Sequence, residues 1–213
     1  MDEVASRLAR VGELTRNQIR FWNQFYAVVL ETYRDMNGDG KQLMPQNDLN
    51  APAPAPIQRG GGQSSNVFSG GVFALGPEEA LVIETRAPVA PEYSGFHLSD
   101  LWGQSLDCGS HQSSLNGAQA ELDADGALRF VVAHRDPGVA NWLDTTGLPQ
   151  GYLTARWTYP RLPEQLPAVR VSKVDFAAIR ASLPAGARSV SVEERRARIA
   201  ARQAHLQRRY RLY

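Results

Sequence analysis

The hydrophobic rhythm of the chain changes twice. From Asp2 to about Tyr33 apolar residues recur near helical spacing: Val4, Leu8 and Val11, then Trp22, Phe25, Tyr26, Val29, Leu30 and Tyr33, with Arg, Glu, Asn and Gln between them. The pattern predicts one long amphipathic helix over residues 1–34, with Thr15 as the place where it would break. Its aromatic half is too apolar to stand in water, so it must be covered by the rest of the chain or by another subunit.

Residues 35–63 are rich in Pro, Gly and Asn, which reads as a long surface connector. Its opening imitates a calcium loop, with Asp35, Asn37 and Asp39 at alternate positions and Gly40 at the turn. The imitation fails at its end, where Pro45 and Gln46 stand in place of a bidentate Glu.

From Asn66 the period becomes two. Segments 66–75, 79–88, 93–102, 116–124, 127–135, 151–159 and 168–176 read as strands separated by Gly, Pro, Asp and Asn. Strands in succession without intervening helices predict a mainly β fold: an antiparallel, jelly-roll-like β-sandwich over residues 64–175. The sharpest turn signal is Asp125-Gly126, because Gly accepts the positive φ of a tight turn.

Helical spacing then returns in the basic tail, residues 176–213. Ser191 followed by Glu194 forms a capping box that starts a helix. Val192, Ile199, Leu206 and Tyr213 recur every seven residues among many arginines, a narrow stripe suited to docking. The arginines around it can meet carboxylates, phosphates or water. The sandwich is thus flanked by an N-terminal and a C-terminal α-helix.

Composition narrows the classes. At 213 residues, 43% hydrophobic and 21% charged, the chain suits one core with appendages. A net charge of +1 gives no general attraction to nucleic acid. No run is long and apolar enough to span a bilayer. The opening residues lack the order of a signal peptide and Cys108 is the single cysteine, so a cytoplasmic location is expected.

The stretch Ser113–Pro160 resembles the domain of unknown function 1214 family, which often follows a 1254-type module in longer chains. The resemblance rests on Asp125-Gly126, the Asn141-Trp142-Leu143 triplet, and Arg156, Trp157, Tyr159 and Pro160 at a closing strand. A weaker likeness extends back to about Gly60. It implies a jelly-roll-like sandwich and no established catalytic residues, and the longer pattern's N-terminal module is replaced here by a helical lead-in.

Candidate chemistry is thin. His97, His111 and His134 occur near Asp100, Asp107 and Asp136, but without the spacing of a metal motif. Ser113 and Ser114 sit beside His111, yet neighbours on a strand face opposite ways. Cys108 reads as a buried small side chain, and Gly60–Gly62 as linker rather than a phosphate cradle. In Asp136–Trp142, Pro137 and Gly138 turn the chain so that Asn141 and Trp142 close a sandwich corner.

Two function classes remain. One is a small-molecule pocket, with or without enzymatic activity, lined by Trp102, Asp107, His111, Asn116, Arg135, Asn141 and Trp142. The other is an assembly module, a homo-oligomer or half of a heteromer, joined through the N-terminal helix. No cofactor is specified by the sequence.

Overall fold

The structure, a computed structural model, describes residues 2–27, 44–54 and 65–210. Two compact units are separated at residues 43 and 44. The first contains helix α1 (Asp2–Ala27), continuous through Thr15, whose hydroxyl donates to the Val11 carbonyl at 2.9 Å. A hydroxyl bonded back along the helix leaves the backbone ladder intact. The expected break is absent. Residues 28–43 and 55–64, which hold the calcium-like positions from Asp35 to Gly40 and Gly60–Gly62, lie outside the described residues, as does Tyr213.

The second unit is a two-sheet β-sandwich. One sheet has the order β1-β2-β8-β4-β5, formed by Ala53–Pro54, Asn66–Ala74, Gln150–Thr158, Tyr93–Ser99 and Ser114–Asn116. The other has the order β7-β6-β3-β9, formed by Trp142–Asp144, Leu128–Ala133, Glu79–Arg86 and Ala168–Asp175. Alternation sends Leu81 and Ile83 of β3, Phe130 and Val132 of β6, and Phe96 and Leu98 of β4 into one interior. There Phe96 stacks on Phe130 across the two sheets at 4.0 Å between ring centres and meets Trp157 edge-on. The opposite face of β3 and β6, with Val82, Val131 and Ala133, is covered by Ile179, Phe176 and Trp142.

The Asp123–Ala127 turn forms as expected. Gly126 has φ +76°, and the Asp123 amide donates to the Ala127 carbonyl at 2.9 Å. Other local expectations shift. Residues 117–119 form a turn instead of a strand, because Asn116 Oδ1 accepts from the Ala118 and Gln119 amides and draws the backbone out of the ladder, and only Leu122 bridges to Leu128. The corner residues Trp142–Asp144 instead form β7, which pairs with β6 in parallel. Part of the expected connector also belongs to the sandwich. Asn47 exchanges two hydrogen bonds of 2.8 Å with the Ala74 backbone, and Asn50 Oδ1 accepts from Gly70 N at 2.8 Å.

The C-terminal helix, α2 (Val192–Tyr210), belongs to this same unit. Its start is capped by Ser191 Oγ, which accepts from the Glu194 amide at 3.2 Å. No helix among the described residues is long and apolar enough to cross a membrane.

Candidate binding groove at the C-terminal helix

The groove is built from the way α2 seats on the sandwich. Arg195, one turn past the cap, is buried and acts as the fastening. Its Nε donates to Asp136 Oδ2 at 2.8 Å, its Nη2 to the Val139 carbonyl, and its Nη1 to Gln112 Oε1 at 2.8 Å. Gln112, also buried, passes the connection on: its Nε2 donates to the Trp142 carbonyl at 2.6 Å and to the Ala140 carbonyl at 3.2 Å. The buried amide is thereby satisfied at both ends.

A turn later the helix meets the loop that follows β4. Asp107 Oδ1 accepts from the Gly109 and Ser110 amides at 2.9 and 3.0 Å, which curls the loop. Those bonds hold the Asp107 carboxyl below its usual range, with His111 adding a smaller favourable field. Gly109 passes directly under the helix; a Cβ there would stand 2.5 Å from Leu206 Cδ1. Of the heptad stripe, Ile199 and Leu206 are half-buried and Leu206 lies against Gly109 of the same unit, while Val192 stays exposed.

Between helix and loop lies a groove of about 430 Å³. Its apolar part includes Leu115, Ala201 and Leu206; its polar part combines Arg198, Arg202, His205 and Arg209 from one face of α2 with Gln112, Gln119 and Cys108 from the sandwich. The arginines differ in their partners. Arg198 is neutralised by Glu121 and Glu194 at 2.7 and 3.0 Å. Arg202 donates only to carbonyls, Ser114 at 2.6 Å and Cys108 at 3.2 Å, and among the described residues forms no ion pair. Burial pushes its pKa down, the field of Cys108 opposes this and those of Arg195 and Arg198 add to it, leaving a half-buried cation without a carboxylate partner among the described residues.

The seven residues singled out from the sequence do not meet in one pocket. Asn141 and Trp142 hold the corner: the Asn141 amide exchanges hydrogen bonds with the Glu121 backbone at 2.8 and 2.7 Å, and Trp142 Nε1 donates to the Ala133 carbonyl at 3.0 Å. Asp107 shapes the groove's loop. His111 Nδ1 bonds Asp144 Oδ2 at 2.8 Å. A carboxylate behind an imidazole is half of a general-base arrangement, but no hydroxyl or thiol among the described residues bonds the other ring nitrogen. Trp102 is exposed on the turn after β4, and Arg135 pairs with Glu78 over the Phe176 ring. Asn116 lines a separate cavity at the sandwich end.

One other expectation changes. Cys108 is exposed, its carbonyl engaged by Arg202. His134 is tied to Thr145 Oγ1 at 2.7 Å and the Leu75 carbonyl at 3.1 Å. Sequence reasoning missed Gln112, Arg195 and Arg202. Their one signal was the arginine cluster, in which nothing distinguishes a buried member from a solvated one.

No family model matches this chain, and no curated protein matches it. Among solved structures, an uncharacterised protein from Burkholderia cenocepacia is similar over 72% of this chain, at 30% identity and a TM-score of 0.60. This chain spans 39% of that protein's length. A protein from Vibrio parahaemolyticus aligns over 78% of this chain and 45% of its own length, at 18% identity and a TM-score of 0.36.

Proposed function

We propose that this chain is a ligand-binding β-sandwich module that takes an amphipathic organic anion in the groove under α2. The observation that carries this is Arg202: a half-buried cation over an apolar floor, satisfied by two carbonyls and by no carboxylate among the described residues. An anionic head would give Arg202 the charge-assisted bonds it lacks, and an alkyl or aryl body would cover Leu115 and Leu206. That this chain spans 39% of a longer Burkholderia protein supports reading it as one module of a larger architecture, as its resemblance to the domain of unknown function 1214 family implies.

Titration calorimetry with octanoate, and with 1-octanol as the uncharged control, tests it. Octanoate binding that falls about tenfold in Arg202→Met, with 1-octanol weaker and insensitive to the substitution, is the expected result. Equal octanoate affinity in the wild type and in Arg202→Met, with the melting temperature retained, would overturn it.

A second reading, assembly, is favoured by α1. Val4, Leu8 and Val11 are 58–66% exposed and continue at alternating four- and three-residue steps through Thr15 and Gln18 to Trp22. Such a seam suits a second copy of the same helix. Sedimentation of the full chain decides it: a dimer that dissociates in Leu8→Asp supports assembly, and a monomer at micromolar concentration refutes it.

A further inference from the structure

At the end of the sandwich, where β3 and β6 separate from β4 and β8, lies a cavity of about 680 Å³ that shares no lining residue with the groove under α2. Its lining includes Thr85, Leu128 and Trp157, of which Thr85 and Trp157 are nearly wholly buried. The alternation of β3 that turns Leu81 and Ile83 into the core also turns Thr85 inward, at the last interior position before Arg86 emerges. Thr85 is 3% exposed, and its hydroxyl has no hydrogen-bond partner among the described residues. A buried hydroxyl without a partner costs free energy, whereas a methyl of the same shape would not. The residue therefore costs stability where it stands, and it stands on the wall of a cavity.

The rest of the wall sets the chemistry. Pro88, Pro91 and Tyr93 form the lip, and Glu92 is the one charged side chain in the lining. No Lys, Arg or His lines it, so an anion finds no counter-charge, and Glu92 opposes one. The volume falls within the range of small-molecule pockets, which are mostly apolar with a few placed polar groups.

We propose that this cavity is a second, independent site, for an uncharged and mostly apolar small molecule whose carbonyl oxygen accepts a hydrogen bond from Thr85 once its hydroxyl, closed to solvent in the free protein, rotates into the cavity. The apolar body lies against Leu128 and Trp157. Ligand binding completes a hydrogen bond that the free protein lacks, so the hydroxyl discriminates between a ketone and a hydrocarbon of the same shape.

The probes are camphor, 2-octanone and isophorone, with camphor-10-sulfonate as the anionic counterpart of the first. They are titrated into the ¹⁵N-labelled full chain while the amides of Thr85, Ser94, Gly117 and Gly126 are followed. At least one neutral ketone shifts these amides, and camphor-10-sulfonate leaves them in place. Thr85→Val, which keeps shape and fold, weakens the ketone about tenfold, the equivalent of one hydrogen bond. Arg202→Met leaves ketone binding unchanged, which separates this site from the groove. The proposal is overturned if no ketone moves those amides at millimolar concentration, if Thr85→Val binds as tightly as the wild type, or if camphor-10-sulfonate binds there as well as camphor.

Discussion

The Arg195 guanidinium lies over the Trp142 ring, 5.2 Å from its centroid, and both side chains are almost wholly buried. A residue of the C-terminal helix thus completes the corner made by the loop after β6. In Arg195→Met the cation–π contact and the bonds to Gln112, Val139 and Asp136 are lost together. Hydrogen bonds to charged groups contribute about 1.5–3 kcal/mol each but are not additive, so the net loss is expected near 3 kcal/mol. Urea unfolding of the wild type and the variant measures it, and a loss under about 0.5 kcal/mol would mean that α2 is held chiefly by its apolar stripe.

Trp142→Ala removes the other half of the relationship. The indole is 7% exposed and donates to the Ala133 carbonyl, so the cost is expected at about 3–5 kcal/mol, as for a buried aromatic. Trp142→Phe keeps most of the apolar area and should fall about 1 kcal/mol short of the wild type for the lost bond, with added strain from repacking. An unchanged melting temperature in Trp142→Ala together with loss of ligand binding would place the residue in ligand contact instead.

The Asp123–Ala127 turn isolates backbone strain from packing. A Cβ added at Gly126 meets no atom within 4 Å, so Gly126→Ala suffers only from the positive φ of +76°. That cost is about 1–2 kcal/mol. Denaturant titration showing no loss would mean that the turn relaxes to another type.

Acid should weaken the fold through His97. Burial, and secondarily the charge of Arg156, hold its imidazole below the ordinary histidine value of 6.5. The unfolded chain then binds the proton more readily than the folded one, so stability is full above pH 6.5 and declines as pH falls toward the lowered folded value. The slope from this one group is at most about 1.4 kcal/mol per pH unit. His97→Gln should flatten the stability profile in that window, and an unchanged profile would assign the acid sensitivity elsewhere.

How much could be read in advance follows from where each signal lives. The strands with inward Leu, Ile, Val and Phe were legible because burial on one face of a sheet writes alternation into the chain, as in Leu81 and Ile83. The Ser191 cap and the Asp125-Gly126 turn were legible because their chemistry is local. The pairing of residues 44–54 was not, since Asn47 and Asn50 hold it by side-chain bonds to a strand more than fifteen residues away. Neither was the groove. Arg202 and Gly109 are 93 positions apart, and only the docking of α2 brings the helix face over the loop. Asn141 and Trp142 were read as a corner from their turn residues, and the bonds to Glu121 and Ala133 are what make the corner rigid.

The uneven strand lengths bear on how this protein avoids its own copies. Among the described residues, two sheet margins are formed by β5 and β7, of three residues each, too short to template the addition of a foreign strand. Another margin is β9, eight residues long, with Arg170 exposed along it and Lys173 exposed but paired with Glu79 at 2.7 Å, so that Arg170 is the main source of its positive charge. Positive charge on a margin repels an identical margin, so two molecules meeting there find like charge against like. Should solution conditions ever drive this sandwich into fibrous aggregates, β9 is the margin through which the sheets would join, and high salt, which screens those charges, is the condition that would expose it.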